Sequence, residues 1–320
     1  MKLDFSEILV TGGAGFIGSH IVDRLLDFGV KVKVIDNLIT GDKKNLVQHD
    51  GRKGFEFIQG DILNSDLVKK IVRDVDAVFH EAALVSVTRS VENPVLSNEV
   101  NVTGTINLLK ASVDANVKKF IFASSSSTYG DTEVLPKHEN LKTMPLSPYA
   151  VSKLAAENYV KVFHEVYGLE TVALRYFNVY GSRQKYGPYS GVISIFINRL
   201  LKNEPPIIYG DGEQTRDFTN VKDVVEANIL ALSKRNIGGE VFNIGSGENI
   251  SINTLAGYTQ EVMGKTHFEP IHLEPRSGDI LHSYADINKA RRILGYNPKI
   301  KVKDGLSELF SWYSKHQSVE

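Results

Sequence analysis

Apolar and polar positions set the outline of the chain. Through the first half, short apolar runs of strand length alternate with longer stretches whose apolar residues recur at helical spacing. Strands are expected at 8–11, 31–36, 54–60, 77–81, 119–124 and 171–176. Helices are expected at 17–28, 66–72, 95–116 and 149–167, the last opened by Ser147-Pro148, a cap and a first-turn proline. Alternation of this length implies an α/β fold with a doubly wound parallel sheet and helices on both faces.

Beyond Asn178 the pattern changes. Residues 181–191 are rich in Gly, Pro, Tyr and charge and read as a loop. Helices are expected at 192–202 and 221–234, with a strand at 240–244. From residue 250 onward short helices alternate with loops. The chain therefore divides by role into residues 1–180 and a smaller C-terminal part, 181–320. Residues of about 219–245 are expected to pack back on the first part.

Composition narrows the function. The 320 residues are 42% hydrophobic and 23% charged, enough for a sizeable core. Lys+Arg total 37 against 38 Asp+Glu, a formal charge of −1. That balance argues against a general nucleic-acid or membrane-surface binder. With no cysteine, disulfides, zinc–thiolate sites and cysteine nucleophiles are excluded. His267 and His272 flank Pro270, poor geometry for a shared metal, so no metal is expected. No apolar stretch reaches the ~20 residues needed to span a bilayer, and the start lacks a signal-peptide pattern. A cytoplasmic protein is expected.

The first strand runs into Thr11-Gly12-Gly13-Ala14-Gly15-Phe16-Ile17-Gly18, and a helix follows. Gly12 suits a tight turn, Gly15 the approach of backbone to a pyrophosphate, and Gly18 close packing of helix on sheet. The pyrophosphate would sit at the helix N-terminus, where free N–H groups attract an anion. The second strand ends at Asp36, where a carboxylate accepts both ribose hydroxyls of NAD and repels the extra phosphate of NADP. Asp61 closes the third strand, within reach of the adenine. NAD is the expected cofactor.

The fifth strand runs into a hydroxyl cluster, Ser124-Ser125-Ser126-Ser127-Thr128-Tyr129-Gly130. In an open parallel sheet ligands sit at the carboxyl ends of strands, so this cluster lies at the active-site edge. Tyr149 then opens a helix with Lys153 four residues on, which sets both side chains on one helix face.

The glycine cradle, the serine cluster and Tyr149xxxLys153 together resemble the extended short-chain dehydrogenase/reductase family, over nearly the whole chain. More narrowly the chain resembles the UDP-sugar 4-epimerases. The motifs Asp36-Asn37-Leu38, Gly60-Asp61-Ile62, Asn101-Val102-Thr103-Gly104-Thr105, Arg175-Tyr176-Phe177-Asn178, Arg216-Asp217-Phe218 and Arg276-Ser277-Gly278-Asp279 carry this. The resemblance implies a Rossmann-type sheet with a smaller substrate-binding part. It implies that Tyr149, Lys153 and Ser125 are catalytic, with Tyr149 the general base whose pKa must fall from near 10. Lys153 would lower it and bind the nicotinamide ribose. It further implies that Gly12, Gly15, Phe16, Ile17, Gly18, Asp36, Asn37, Asp61, Ile62, Ala82 and Asn101 hold NAD. The UDP-sugar would meet Ser86, Ser126, Ser127, Asn178, Val192, Tyr209, Arg216, Arg276, Asp279 and Ser283. Tyr209 would pack on uracil, and Arg216 and Arg276 would grip the diphosphate, for which guanidinium geometry is suited.

Departures among family members discriminate. Sugar 4,6-dehydratases of the family carry an Asp-Glu pair just after the catalytic Ser/Thr, where this chain has Ser126 and Ser127. Decarboxylases typically carry Glu where Ser127 stands. Glucuronate 4-epimerases usually carry Thr at the position of Asn178. A small residue at Ser283 leaves room for a 2-N-acetyl group. The resemblance thus implies 4-epimerisation of UDP-glucose/UDP-galactose, extending to the N-acetylated pair. A UDP-glucuronate epimerase or decarboxylase stays open, as does a catalytically silent NAD sensor. The resemblance also implies a homodimer, built through the helices near 95–116 and 149–167.

Overall fold

The computed structural model describes residues 3–185, 191–275 and 280–316. A seven-stranded, wholly parallel sheet forms the centre. Its first six strands in chain order are β1 (Glu7–Thr11), β2 (Lys31–Asp36), β3 (Phe55–Gln59), β4 (Ala77–His80), β5 (Lys119–Ser125) and β6 (Glu170–Tyr176). Short strands β7 (Val179–Tyr180), β8 (Ile207–Tyr209), β9 (Thr215–Arg216) and β10 (Thr219–Asn220) follow, outside the sheet. Then β11 (Glu240–Ile244) returns to it. The spatial order is β11-β6-β5-β4-β1-β2-β3. The chain therefore winds outward from β1 in one direction and from β4 in the other. The crevice between β1 and β4 is where such sheets bind ligands.

Helices cover both faces, as burial of near-continuous apolar strands requires. Helix α1 (Phe16–Asp27) lies on one face together with α8 (Val221–Ser233). On the other face lie α2 (Ser65–Val72), α5 (Gly104–Asp114) and α6 (Pro148–Tyr167). The central strands are buried on both sides: every residue of β4 is buried. A third apolar cluster is built by α7 (Val192–Leu201), α9 (Ile252–Val262) and α11 (Val302–His316). Residues 221–244 contribute a helix and a strand to the central sheet and its cover. Helix α8 packs beside α1, and β11 pairs in parallel with β6, Glu240 opposite Val172. No described helix is long and apolar enough to cross a membrane.

Two stretches differ from the sequence expectation. The single helix expected at 95–116 is preceded and broken. Helix α3 (Val87–Glu92) ends at Asn93, whose side chain caps α4 (Pro94–Asn98) by accepting from Leu96 N at 3.0 Å. A wide π-type turn, Glu99–Thr103, then carries the chain into α5. Proline fits the first helical turn but not an interior, which explains the start at Pro94. The wide turn holds Asn101, whose side chain binds another segment. The C-terminal region expected as short helices and loops ends in the fifteen-residue α11. There Val302, Leu306, Leu309 and Tyr313 are buried at helical spacing. Three further short strands, β12 (Ile250–Ser251), β13 (Ile271–Leu273) and β14 (His282–Ser283), line this region, together with α10 (Asn288–Leu294).

One ion pair is deeply buried. Glu157 of α6 accepts from Arg175 of β6 at 2.9 Å (Nε) and 2.6 Å (Nη2), and from Ser124 Oγ at 2.6 Å. The two side chains are 2% and 5% exposed. Breaking such a pair leaves a charge uncompensated. Glu157→Gln is expected to lower stability by about 3–5 kcal/mol, read as a lower urea midpoint by circular dichroism. Surface Lys69→Ala, which breaks an exposed pair with Asp66, serves as a near-neutral control.

Candidate active site

At the β1 carboxyl end the backbone turns sharply. Gly12 has φ +66°, a conformation that side chains disfavour, and a Cβ there would lie 2.7 Å from Ala82 N. A Cβ on Gly18 would lie 2.3 Å from Gly12 O, so α1 presses directly on the turn. Gly15 caps α1 without a side-chain hydrogen bond, and no acidic residue occupies the first turn. The N–H groups of Phe16, Ile17 and Gly18 thus face outward from a helix start that carries partial positive charge. Asp36 closes β2 nearby. It is buried, and its oxygens accept from Ala14 N at 3.0 Å and Leu38 N at 2.8 Å. Each oxygen keeps a lone pair for a further donor. Burial raises the Asp36 pKa, and the two backbone donors oppose this.

The remaining cofactor candidates divide by role. Asp61 accepts from Asn37 Nδ2 at 2.9 Å and Leu63 N at 2.9 Å, so Asn37 steadies the carboxylate. The Ile62 side chain lies in the core against Gly104, and Asn107 donates to its carbonyl. Its backbone N–H is the part left for a ligand. The Ala82 N–H donates to Thr11 Oγ1 at 3.2 Å. The Asn101 amide is spent within the protein. It accepts from Leu84 N at 2.7 Å and donates to Leu84 O and Ser152 Oγ. Both its donors are used, so Asn101 fixes the segment after β4. The glycine turn, open helix start and receptive carboxylate fit a dinucleotide.

Beside this cradle, β5 delivers Ser125, and the N-terminus of α6 delivers Tyr149. Ser147 caps α6, accepting from Ala150 N at 3.2 Å. Ser127 directs both its N–H and its hydroxyl to Ser125 Oγ, at 3.2 and 2.9 Å. The Ser125 proton is thereby free to point to the Tyr149 phenol, and the neighbouring hydroxyl favours phenolate. Burial acts the other way and dominates, holding Tyr149 above the usual phenol range. The expected depression is thus opposed by the protein interior itself. Ser126 lies between these serines in the turn that follows β5.

Lys153 lies one turn below Tyr149, buried, its Nζ 4.4 Å from the centre of the Phe122 ring. Burial lowers it to about 8, while the charges of Glu81 and Glu157 resist. Tyr149, Lys153 and Glu157 form one row along α6, spaced by four residues.

The substrate candidates gather across the crevice. One cleft is lined by Asn178, Val192, Tyr209 and Arg216. Ser283 is buried and pairs in register with Arg216. Arg216 Nη1 donates to the carbonyls of Thr215 and Leu281, which orients its guanidinium. Ser86 caps α3, accepting from Arg89 N at 3.1 Å. Arg276 and Asp279 lie outside the described residues.

Three side chains were missed in the sequence. His80 bridges Thr11 and Thr105 at 2.8 Å each, is buried, and is held down to about 3, so it is a neutral tie between β1 and α5. Glu157 binds Arg175 and Ser124 below the site. Glu81 follows β4 and accepts from the Tyr176 hydroxyl at 2.9 Å. Burial raises it to about 7. The available signal was a carboxylate ending an otherwise apolar run, directly before Ala82.

Comparison with known proteins agrees with this geometry. Residues 8–245 match the model of the NAD dependent epimerase/dehydratase family. A Methanocaldococcus jannaschii protein, provisionally named a UDP-glucose 4-epimerase, is 46% identical over 95% of this chain and 97% of its own length. The solved UDP-N-acetylglucosamine 4-epimerase of Methanobrevibacter ruminantium, in complex with UDP-N-acetylmuramic acid, is 42% identical. It superimposes with TM-score 0.93 over 98% of this chain and 99% of its own. The Thermotoga maritima UDP-glucose 4-epimerase with UDP-glucose is 40% identical, TM-score 0.91, covering 97% and 99%. The Bacillus cereus UDP-glucuronic acid 4-epimerase, solved with UDP-glucuronic acid and NAD, is 36% identical, TM-score 0.90, also covering 97% and 99%. A cradle for a dinucleotide, a Ser-Tyr-Lys cluster at its mouth and full-length likeness to these enzymes converge: the chain belongs to the NAD dependent epimerase/dehydratase family.

Proposed function

We propose that the protein is an NAD-dependent isomerase that inverts C4 of a UDP-hexose, interconverting UDP-glucose and UDP-galactose and also the N-acetylated pair. The observation that carries this reading is the Ser125, Tyr149 and Lys153 cluster with Ser126 and Ser127 beside it. No acid–base pair for elimination stands there. The relatives named above act on UDP-glucose, UDP-N-acetylglucosamine and UDP-glucuronic acid, which supports a UDP-sugar as substrate class.

In this reading the N–H groups at the start of α1 would hold the phosphates of NAD, and Asp36 its adenosine ribose. When bound, NAD would supply the acceptor and donor for the C4 hydride, and its positive charge would favour phenolate at Tyr149. Tyr149 removes the proton from the sugar O4 as C4 is oxidised to a ketone. It gives the proton back to O4 after the sugar has presented its other face. Ser125 donates a hydrogen bond to the phenolate oxygen and shares the path to O4. The Lys153 ammonium favours phenolate by its charge. Asn178, Val192, Tyr209 and Arg216 line the cleft that would take the nucleotide end. Residues 181–320 serve as the substrate-binding part, apart from α8 and β11.

We also place the enzyme in the cytoplasm as a homodimer. Val151, Tyr159, Val162 and Val166 form an exposed apolar row on α6, and Val91, Val95 and Leu96 adjoin it on α3 and α4. Lone exposed apolar residues are ordinary, but a continuous patch of this kind marks an interface. A second copy presenting the same helices would cover it. Light scattering after size exclusion should give a dimer mass, and Tyr159→Glu/Val162→Glu should give a monomer. A monomeric parent protein would overturn this assignment.

Purified protein should convert UDP-galactose and UDP-N-acetylgalactosamine to the gluco epimers with no NAD added, as resolved by chromatography. Tyr149→Phe should lower kcat by about 10²–10⁴-fold, the range for loss of a positioned acid–base group. No conversion of either sugar, with NAD supplied, would sink the reading and direct attention to UDP-glucuronate. Ser283→Tyr should separate the two pairs. It fills the space beside Arg216, so turnover of the N-acetylated pair should fall at least about tenfold more than that of the plain pair. Equal losses would remove Ser283 from substrate choice.

A further inference from the structure

The turn after β5 carries Ser125, Ser126 and Ser127, and its far end is held by a side chain from another segment. Lys137 is wholly buried, and its Nζ donates to Gly130 O at 2.7 Å. Gly130 directly follows the turn Ser126–Tyr129 and closes it, its N–H donating to Ser127 O at 3.2 Å. Among the described residues this carbonyl is the one oxygen the Lys137 side chain meets. A buried ammonium without a carboxylate partner is costly. Burial accordingly lowers Lys137 to about 8. An apolar side chain of the same length would fill the space without that cost, so packing alone does not account for a lysine here.

The Lys137 main chain reaches the same turn by a second route. Its carbonyl accepts from Asn243 Nδ2 at 2.8 Å, and Asn243 Oδ1 accepts from the Tyr129 hydroxyl at 2.7 Å. Tyr129, Asn243, Lys137 and Gly130 thus form a closed ring around the end of the serine turn. The other side of Lys137 meets the segment that leaves β14. Its N–H donates to Tyr284 O at 2.9 Å, and its carbonyl accepts from Asp286 N at 2.8 Å. Ser283, the residue before Tyr284, pairs in register with Arg216 of the substrate cleft. Every link from the cleft to the serine turn is therefore a hydrogen bond or a strand pairing.

We propose that Lys137 is a positioning residue for the reaction: its side chain fastens the serine turn to the strand that bears Ser283, and so holds Ser125 where it can meet both the Tyr149 phenol and the sugar. The inference rests on the reading of Ser125 and Tyr149 as reacting groups. Lys137 itself is sealed from any ligand and acts only through the turn. Anchoring of this kind matters because a hydroxyl that shares a proton path must keep its distance to both neighbours.

Lys137→Met tests this, since the thioether chain keeps the length and removes the donor. On the UDP-sugar that the parent protein converts, kcat should fall about tenfold with KM changed by less than about threefold, the cost of a small misplacement at the reacting groups. The same substitution in a Ser125→Ala background should cost far less, because changes that act through one group are not additive. Deuterium uptake by the peptide spanning 124–132, read by mass spectrometry, should be faster, while the peptide spanning 10–20 keeps the parent's rate. A parent-like kcat or parent-like exchange in folded Lys137→Met would overturn the proposal. So would an equal loss of kcat in the Ser125→Ala background, the mark of a merely structural role. If Lys137→Met does not fold, Tyr129→Phe opens the other limb of the ring and is judged by the same readouts, with smaller changes in the same direction. Should the parent protein convert no UDP-sugar, the functional reading fails, and the exchange rates still decide whether Lys137 fastens the turn.

Discussion

The desolvated ammonium of Lys153 is the constraint around which this structure is arranged. A cation in a protein interior is tolerated only with compensating charge or hydrogen bonds. Here the compensation comes from an aromatic face, Phe122, and two carboxylates on different elements. Each carboxylate is in turn held. Glu157 is tied to Arg175 and Ser124, and the Arg175 guanidinium lies 4.6 Å from the Tyr129 ring. The Tyr129 hydroxyl donates to Asn243 at 2.7 Å, and Asn243 donates to Lys137 O and Asp286 O. A buried polar spine thus runs from α6 through β6 to β11 and the C-terminal part. Supports of this kind hold a site's groups to its geometry.

The topology explains why chemistry collects where it does. Because the sheet winds both ways from β1 and β4, the loops after these strands diverge and leave a crevice. Gly12, Ala82 and Ser125 all stand on its rim, on strands adjacent in space though far apart in sequence. Helix α6 crosses the rim with its N-terminal turn, so Tyr149 is half-buried there while Lys153, one turn deeper, is buried. The same helix turns an apolar row outward through Tyr159 and Val162. The buried row, the Tyr149 end and the exposed apolar row therefore fall on separate parts of one twenty-residue helix.

Much of this was legible in the sequence because it rests on local rules. Strand ends at Thr11 and Asp36 follow from apolar runs that stop at polar residues. The start of α6 follows from Ser147-Pro148, and the turn at Gly12 from glycine spacing. What was not legible depends on neighbours remote in sequence. The break at Pro94 to Thr103 is a stretch of good helical periodicity, interrupted because Asn101 binds Leu84 across the site. An asparagine shows its type in the sequence and not its partner, so this tie could not be read from the chain. His80 looked like one polar residue in an apolar strand, and only the fold reveals threonines on both of its sides. The α11 pattern of Val302, Leu306, Leu309 and Tyr313 was present in the sequence. Its apolar face lacked an obvious partner until α7 and α9 closed over it.

The opposed effects on Tyr149 show why the cluster needs so many parts. Burial shields the reacting atoms from water, and burial also holds the phenol proton in place. The same desolvation lowers the Lys153 ammonium to about 8. Each step deeper into the protein therefore disfavours both charged forms, phenolate and ammonium, unless compensating groups are added. Glu157 is one such group, and because both its oxygens are bound by Arg175 it also anchors α6 to the sheet.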